Sequence, residues 1–195
     1  MRPLPFVWPY ALVFWGVFVW AFLPEFGIVR RGRRGGNTTT DAKSLQVIMV
    51  GMNLGFLAAF FLAWVPALHF SPAYSVAGFW LGVGLMVSGS LLRRHCFRML
   101  GESFTGDVRA SSEQQVVTRG AYSILRHPSY TAGILLNAGV GLALGSWASA
   151  LSMIVTSFAV YGYRIAVEER ALSAAIGAPY REFMATRKRL IPFVY

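Results

Sequence analysis

The chain has 195 residues, 55% of them hydrophobic and only 13% charged, with mean hydropathy +0.52. That composition excludes an ordinary soluble domain and points to an integral membrane protein. The formal net charge of +10 does not point to nucleic acid, because the basic residues stand directly beside apolar runs, where anionic lipid headgroups attract them.

A membrane core of roughly 30 Å needs about 20 helical residues, and five apolar segments approach that length. The first runs from Phe6 to Leu23 and is expected to stop at Pro24-Glu25; it lacks the flanks of a signal peptide and reads as a retained span. A basic run, Arg30-Arg31-Gly32-Arg33-Arg34, follows as a topology anchor. Asn37-Thr38-Thr39 matches a glycosylation acceptor but falls in a loop assigned to the cytoplasm. The second span runs from Ser44 to Val65 and ends at Pro66, and the third from Tyr74 to Leu92. The fourth, Ser129 to Leu144, and the fifth, Trp147 to Tyr163, are joined only by Gly145-Ser146. The fourth covers roughly 24 Å and is expected to stop below one membrane surface.

With five spans, all of the 18 Lys and Arg except Arg2 fall on one side. The N-terminus is therefore expected outside and the C-terminus in the cytoplasm. The fold class is all-α, a polytopic helical bundle forming one membrane domain over residues 1–195. Residues 1–99 hold the first three spans. Residues 100–195 hold the last two, with the part beyond the spans expected to face the cytoplasm. Pairs of small residues, Gly51 with Gly55, Gly78 with Gly82 and Gly141 with Gly145, are spaced for close helix packing within the chain or between copies.

The single cysteine, Cys96, excludes an intrachain disulfide, and three scattered histidines leave no metal-ligand cluster. Gly82-Val83-Gly84 lies inside a span without a preceding strand and is no dinucleotide loop. Between spans three and four lies a long polar stretch carrying Glu102, Asp107, Glu113, Gln114 and Gln115. Its end, Val116-Val117-Thr118-Arg119-Gly120, reads as a short extended apolar piece with a turn at Gly120, fit to line an adenine pocket.

Chemistry concentrates at two places. In Arg126-His127-Pro128-Ser129-Tyr130, Pro128 starts a helix and pushes His127 out of helical backbone. The first-turn N–H groups, the helix dipole and Arg126 then form a seat for a carboxylate. On the fifth span Tyr161, Arg164 and Glu168 share one face, and Glu169 lies beside them. An acid at membrane depth costs about 2.5–3.5 kcal/mol, so a functional role is its default reading. Beyond, Ala171 to Met184 reads as an amphipathic helix broken at Gly177-Ala178-Pro179, and the Arg187–Pro192 tail is expected on the surface.

Gly120-Ala121-Tyr122, Arg126-His127-Pro128-Ser129-Tyr130 with Gly133, Glu168-Glu169 and a Tyr180…Arg187…Ile191-Pro192 tail resemble the isoprenylcysteine carboxyl methyltransferase and phospholipid methyltransferase superfamily over roughly Leu100 to Pro192. The resemblance implies an S-adenosylmethionine-dependent methyltransferase, releasing S-adenosylhomocysteine, whose cofactor enters from the cytosol and whose lipidic substrate enters from the bilayer. It implies that His127, Tyr130 and one or both of Glu168 and Glu169 hold the methionine and ribose ends. It further implies that Val116 and Val117 meet the adenine, that Tyr122 belongs to the same cofactor-binding set, and that Arg164 and Glu168 face the reacting centre. The expected acceptor is the carboxylate of a prenylcysteine; the alternatives are N-methylation of a phospholipid or other amine, and a membrane NADPH-dependent reductase of sterols or related lipids.

Overall fold

The computed structural model describes residues 2–33, 43–101 and 116–191, with the side chains of residues 26–33 left aside. The Asn37-Thr38-Thr39 match and the acidic stretch from Glu102 to Gln115 lie outside the described residues, as do Arg34 and Pro192. All regular structure in the described residues is helical: α1 (Tyr10–Arg33), α2 (Ser44–Leu62), α3 (Pro72–Leu100), α4 (Pro128–Ala143), α5 (Trp147–Ala175) and α6 (Ala178–Thr186). Three of these, α2, α3 and α5, are long and apolar enough to cross a membrane on their own; α1 has a shorter apolar stretch, Tyr10–Glu25. The protein is an all-α integral membrane bundle.

Two helices outrun their apolar segments because residues far along the chain supply the partners they need. Pro24 does not end α1, which continues to Arg33. A proline inside a helix deprives the carbonyl four residues earlier of its donor, here Trp20. The Arg94 guanidinium supplies the missing donor, bonding the Trp20 carbonyl at 2.6 Å while lying 4.7 Å above the Trp20 ring. Helix α3 likewise carries past Leu92 to Leu100, because the arginines that follow find partners on α1 instead of ending the span. The break after α5 does fall at Gly177, whose φ of +78° suits glycine.

Backbone proximity sets the packing. A Cβ on Gly82 would lie 2.5 Å from Ala143 N, and one on Gly89 would lie 2.7 Å from Leu136 N, so α3 and α4 touch main chain to main chain. Gly139 completes this seam from the α4 side, and Gly141 brings α4 equally close to Ala150 of α5. Gly51 and Gly55 of α2 face Val160 and Thr156 of α5. The expected pairing of Gly78 with Gly82 and of Gly141 with Gly145 is therefore corrected: Gly78 has ordinary contact with Phe70, and Gly145 serves the turn, with φ +79°. Between α1 and α2 the filling is aromatic, with Phe18 and Phe22 edge-on to Phe56 and Trp15 stacked on Phe60.

At the end where Gly145-Ser146 joins α4 to α5, Phe70 N donates to Gly145 O at 3.0 Å and His69 bonds Ala63 O at 2.7 Å. The opposite end gathers Glu25, Ser44, Arg93, His127, Arg164 and Glu169. Helix α4, at 16 residues, starts beside Arg93 and Glu168, whereas α3 and α5 each run about two turns farther. Its first turn thus sits inside a wall made by longer helices.

Gly82→Ala is expected to lower the melting temperature in detergent, because its Cβ meets backbone that cannot yield; overpacking of this kind costs roughly 1–3 kcal/mol. Gly84→Ala, with nothing within 4 Å of its Cβ, is expected to be neutral or slightly stabilising. Equal melting of the two variants would contradict the main-chain seam.

Candidate functional site

Pro128 opens α4, and His127 stands before it in non-helical backbone, φ −126° and ψ 54°, as the proline requires. The first-turn amides expected to be unpaired are partly used, since Tyr130 N and Thr131 N both donate to His127 O. The first turn still carries its polar side chains inward. His127 is 4% exposed and its Nε2 lies 3.1 Å from Glu169 Oε1. Tyr130 donates its hydroxyl to Glu168 Oε2 at 2.6 Å and accepts from Arg164 Nε at 3.3 Å. Arg164, 4% exposed, also donates to the Ser44 hydroxyl at the start of α2.

Three rings join these groups. His127 stacks on Tyr130 with centroids 5.6 Å apart, and Tyr130 stacks on Tyr161 at 5.1 Å. Gly133 makes this column possible, for a Cβ there would lie 2.5 Å from the Tyr161 hydroxyl. Adjacent residues on a helix point about 100° apart, so Glu168 and Glu169 enter different parts of one network, Glu168 towards Tyr130 and Glu169 towards His127.

The tail does not lie free on the surface. Arg126 N donates to Lys188 O at 2.8 Å and His127 N to Arg189 O at 3.1 Å, and the Thr131 hydroxyl donates to Leu190 O at 2.7 Å. Leu190 is 2% exposed. The cause is chemical: the residues before Pro128 lie outside a helix, their N–H groups need acceptors, and the tail carbonyls supply them. The tail also brings Arg189 Nη2 to 2.9 Å from Glu169 Oε2, while Arg126 Nε lies 3.5 Å from Glu169 Oε1. Arg189 as a partner of Glu169 and Ser44 as a partner of Arg164 are contacts that the sequence reading missed; the basic tail motif was the available signal for the first.

Of the expected site residues, the structure thus brings together His127, Tyr130, Arg164, Glu168 and Glu169. Tyr122 is buried on the Gly120–Ser123 turn; its hydroxyl lies near the Ser129 side chain without a hydrogen bond of standard geometry. Burial pushes its phenol well above the ordinary tyrosine range, so it stays a neutral donor. Val116 and Val117 are half-buried in irregular backbone ahead of that turn, and neither belongs to the polar network. Among the described residues no group of three His, Cys, Asp or Glu could hold a metal ion.

The arrangement suits a ligand with an anionic group. Around Glu169 two guanidiniums and an imidazole meet one carboxylate, leaving an excess of positive charge, with Arg189 still partly open to solvent.

The model of the phospholipid methyltransferase family matches residues 77–178. Protein-S-isoprenylcysteine O-methyltransferase B of Arabidopsis thaliana is 30% identical over 115 residues, which cover 58% of this chain and 58% of that protein. The Dictyostelium discoideum protein-S-isoprenylcysteine O-methyltransferase is 25% identical over 145 residues, 73% of this chain and 61% of that protein. This chain therefore spans less than two thirds of the length of these curated relatives. A solved structure of the eukaryotic intramembrane Ras methyltransferase ICMT has the same fold, with a TM-score of 0.68 at 21% identity, covering 98% of this chain and 70% of that one.

Glu169→Gln is expected to loosen the tail, because charge-assisted hydrogen bonds are worth roughly 1.5–3 kcal/mol and the neutral amide keeps only part of that. Limited trypsin digestion followed by mass spectrometry should show cleavage after Arg187, Lys188 or Arg189 about tenfold faster than in the parent. Unchanged cleavage would mean that Glu169 does not hold the tail.

Proposed function

Because this chain belongs to the phospholipid methyltransferase family, we propose that it transfers a methyl group from S-adenosylmethionine to a lipidic acceptor in the membrane, and that the acceptor is the carboxylate of a prenylcysteine. The observation that carries the reading is the joined network His127–Glu169 and Tyr130–Glu168 with Arg164, built where α4 begins below the ends of α3 and α5. When bound, the cofactor supplies an already activated sulfonium methyl.

The residues present fit that cofactor. Arg126, His127 and Arg189 around Glu169 suit its methionine carboxylate, Glu168 and Glu169 its ammonium or ribose hydroxyls, and Tyr122 stands as a neutral donor with no committed partner. Val116 and Val117 would meet the adenine. The basic residues collected at this end support a site facing the cytoplasm.

The acceptor carboxylate is ionised at neutral pH and needs no general base. What the chain must provide is position and electrostatic hold. Arg164 is buried, rigidly held by Tyr130 and Ser44, and cationic, as a carboxylate acceptor requires. Holding two reactants in line contributes roughly 7–11 kcal/mol to lowering a barrier. An amine acceptor would instead have to lose a proton, with Glu168 as the base. The buried arginine favours the carboxylate, and the family's own description, phospholipid methyltransferase, keeps a phospholipid acceptor as the second reading.

Calorimetric titration of the detergent-purified protein with S-adenosylhomocysteine, with NADPH in parallel, is expected to show micromolar binding of the first alone. Binding of NADPH alone would replace this reading with a lipid reductase. Arg164→Ala is expected to cut turnover of a prenylcysteine about 10²–10³-fold while leaving S-adenosylhomocysteine affinity within a few-fold. The rate should be flat from neutral pH upward; a rate climbing through the alkaline range would assign the acceptor as an amine.

A further inference from the structure

Arg93 of α3 is 7% exposed, and the functional network above does not use it. Each of its three guanidinium nitrogens has a hydrogen-bond partner. Nε and Nη2 take the two oxygens of Glu25 on α1, the second at 2.9 Å; Nη1 donates to the Ser129 carbonyl at 2.7 Å; and the Phe97 ring lies 4.9 Å beneath. An ion pair at this depth is costly to build and weak as a stabiliser, since apolar residues of similar volume often serve as well. Its geometry assigns it another task.

Ser129 lies between His127 and Tyr130 in the first turn of α4. The Ser129 carbonyl is the one point where a charged group from another helix bonds that turn's main chain, among the described residues. One α3 turn away, Gly89 presses against Ala132 O and Leu136 N. Helix α4 is therefore held by α3 in two places, electrostatically through Arg93 in its first turn and sterically through Gly89 farther along, at Ala132 and Leu136. Glu25 fixes the angle of the guanidinium, because a carboxylate bound by Nε and Nη2 leaves Nη1 pointing in one direction.

We propose that Arg93, oriented by Glu25, is a positioning residue: by holding the Ser129 carbonyl it sets the placement of His127 and Tyr130, and through them the affinity for the cofactor. The link to the cofactor rests on the methyltransferase reading; the link to α4 does not.

The test uses the full chain in detergent. Glu25→Leu/Arg93→Met removes both charges together, so it is expected to melt within a few degrees of the parent. It should nonetheless exchange backbone amides of residues 129–133 about tenfold faster and bind S-adenosylhomocysteine about tenfold more weakly, the size of one charge-assisted hydrogen bond. Arg93→Lys, which keeps the charge but lacks the fork that serves Glu25 and Ser129 at once, is expected to show the same two shifts should the double variant not fold. Parental exchange in residues 129–133 in either folded variant would overturn the positioning role. Faster exchange with parental affinity would confine Arg93 to a structural role. A parent chain that binds no S-adenosylhomocysteine would refute the methyltransferase reading, and the exchange arm would still decide whether Arg93 holds α4.

Discussion

A charged group taken below the edge of a membrane must bring its partners with it, and this requirement organises one whole end of the bundle. Arg93, His127, Arg164 and Glu169 are each under a tenth exposed. Each is tied across helices: Arg93 to α1 and α4, Arg164 to α2 and α4, Glu169 to the segment before α4 and to the tail. The ionic contacts therefore act as ties among elements distant in sequence. They converge on the start of α4, beyond which α3 and α5 each run on for about two more turns.

The α3–α4 seam brings the two helices into main-chain contact at its glycines, between core side chains such as Met86 and Leu136. Glycines at 82, 89 and 139 let the two main chains meet, and α3 and α5 run on past the start of the short helix. A bulkier seam would move α4 sideways by the width of a methyl group and carry His127 and Tyr130 away from Glu169 and Glu168. Packing small residues in the middle of the bundle and pairing charges at its end are thus two parts of the same placement.

Much of this was legible in the sequence because its signals are local. Hydropathy gives the apolar segments, Pro128 gives the start of α4 with His127 outside it, and Gly177 gives the break before α6. The i, i+3, i+7 spacing on α5 puts Tyr161, Arg164 and Glu168 on one face, and the structure gathers them with Tyr130. What escaped depends on partners far away in the chain. Pro24 looks like a terminator until Arg94, 74 residues from the Trp20 carbonyl, supplies its missing donor. The tail looks like a surface segment until the N–H groups before Pro128 claim its carbonyls. Glu25 looks like the end of a span, because nothing within a helical turn of it reveals Arg93. A pairwise tie across helices leaves no periodicity to read.

The two adjacent glutamates show why the network takes the form it does. Consecutive residues of α5 diverge by about 100°, so one short sequence feeds two polar compartments with different charge. The Glu169 side, with Arg126, His127 and Arg189, is electropositive. On the Glu168 side, Arg164 offsets Glu168, and a tyrosine hydroxyl stands between them. The stacked rings of His127, Tyr130 and Tyr161 form the wall the compartments share. In the proposed reaction two substrates must meet with their anionic groups held apart and their reacting atoms in line. An electropositive compartment for one carboxylate and a separate buried arginine for the other meet that need, and the rigid wall keeps the distance between them constant. The same separation predicts which substitutions act on which substrate: changes around Glu169 act on the methyl donor, and changes at Arg164 act on the acceptor.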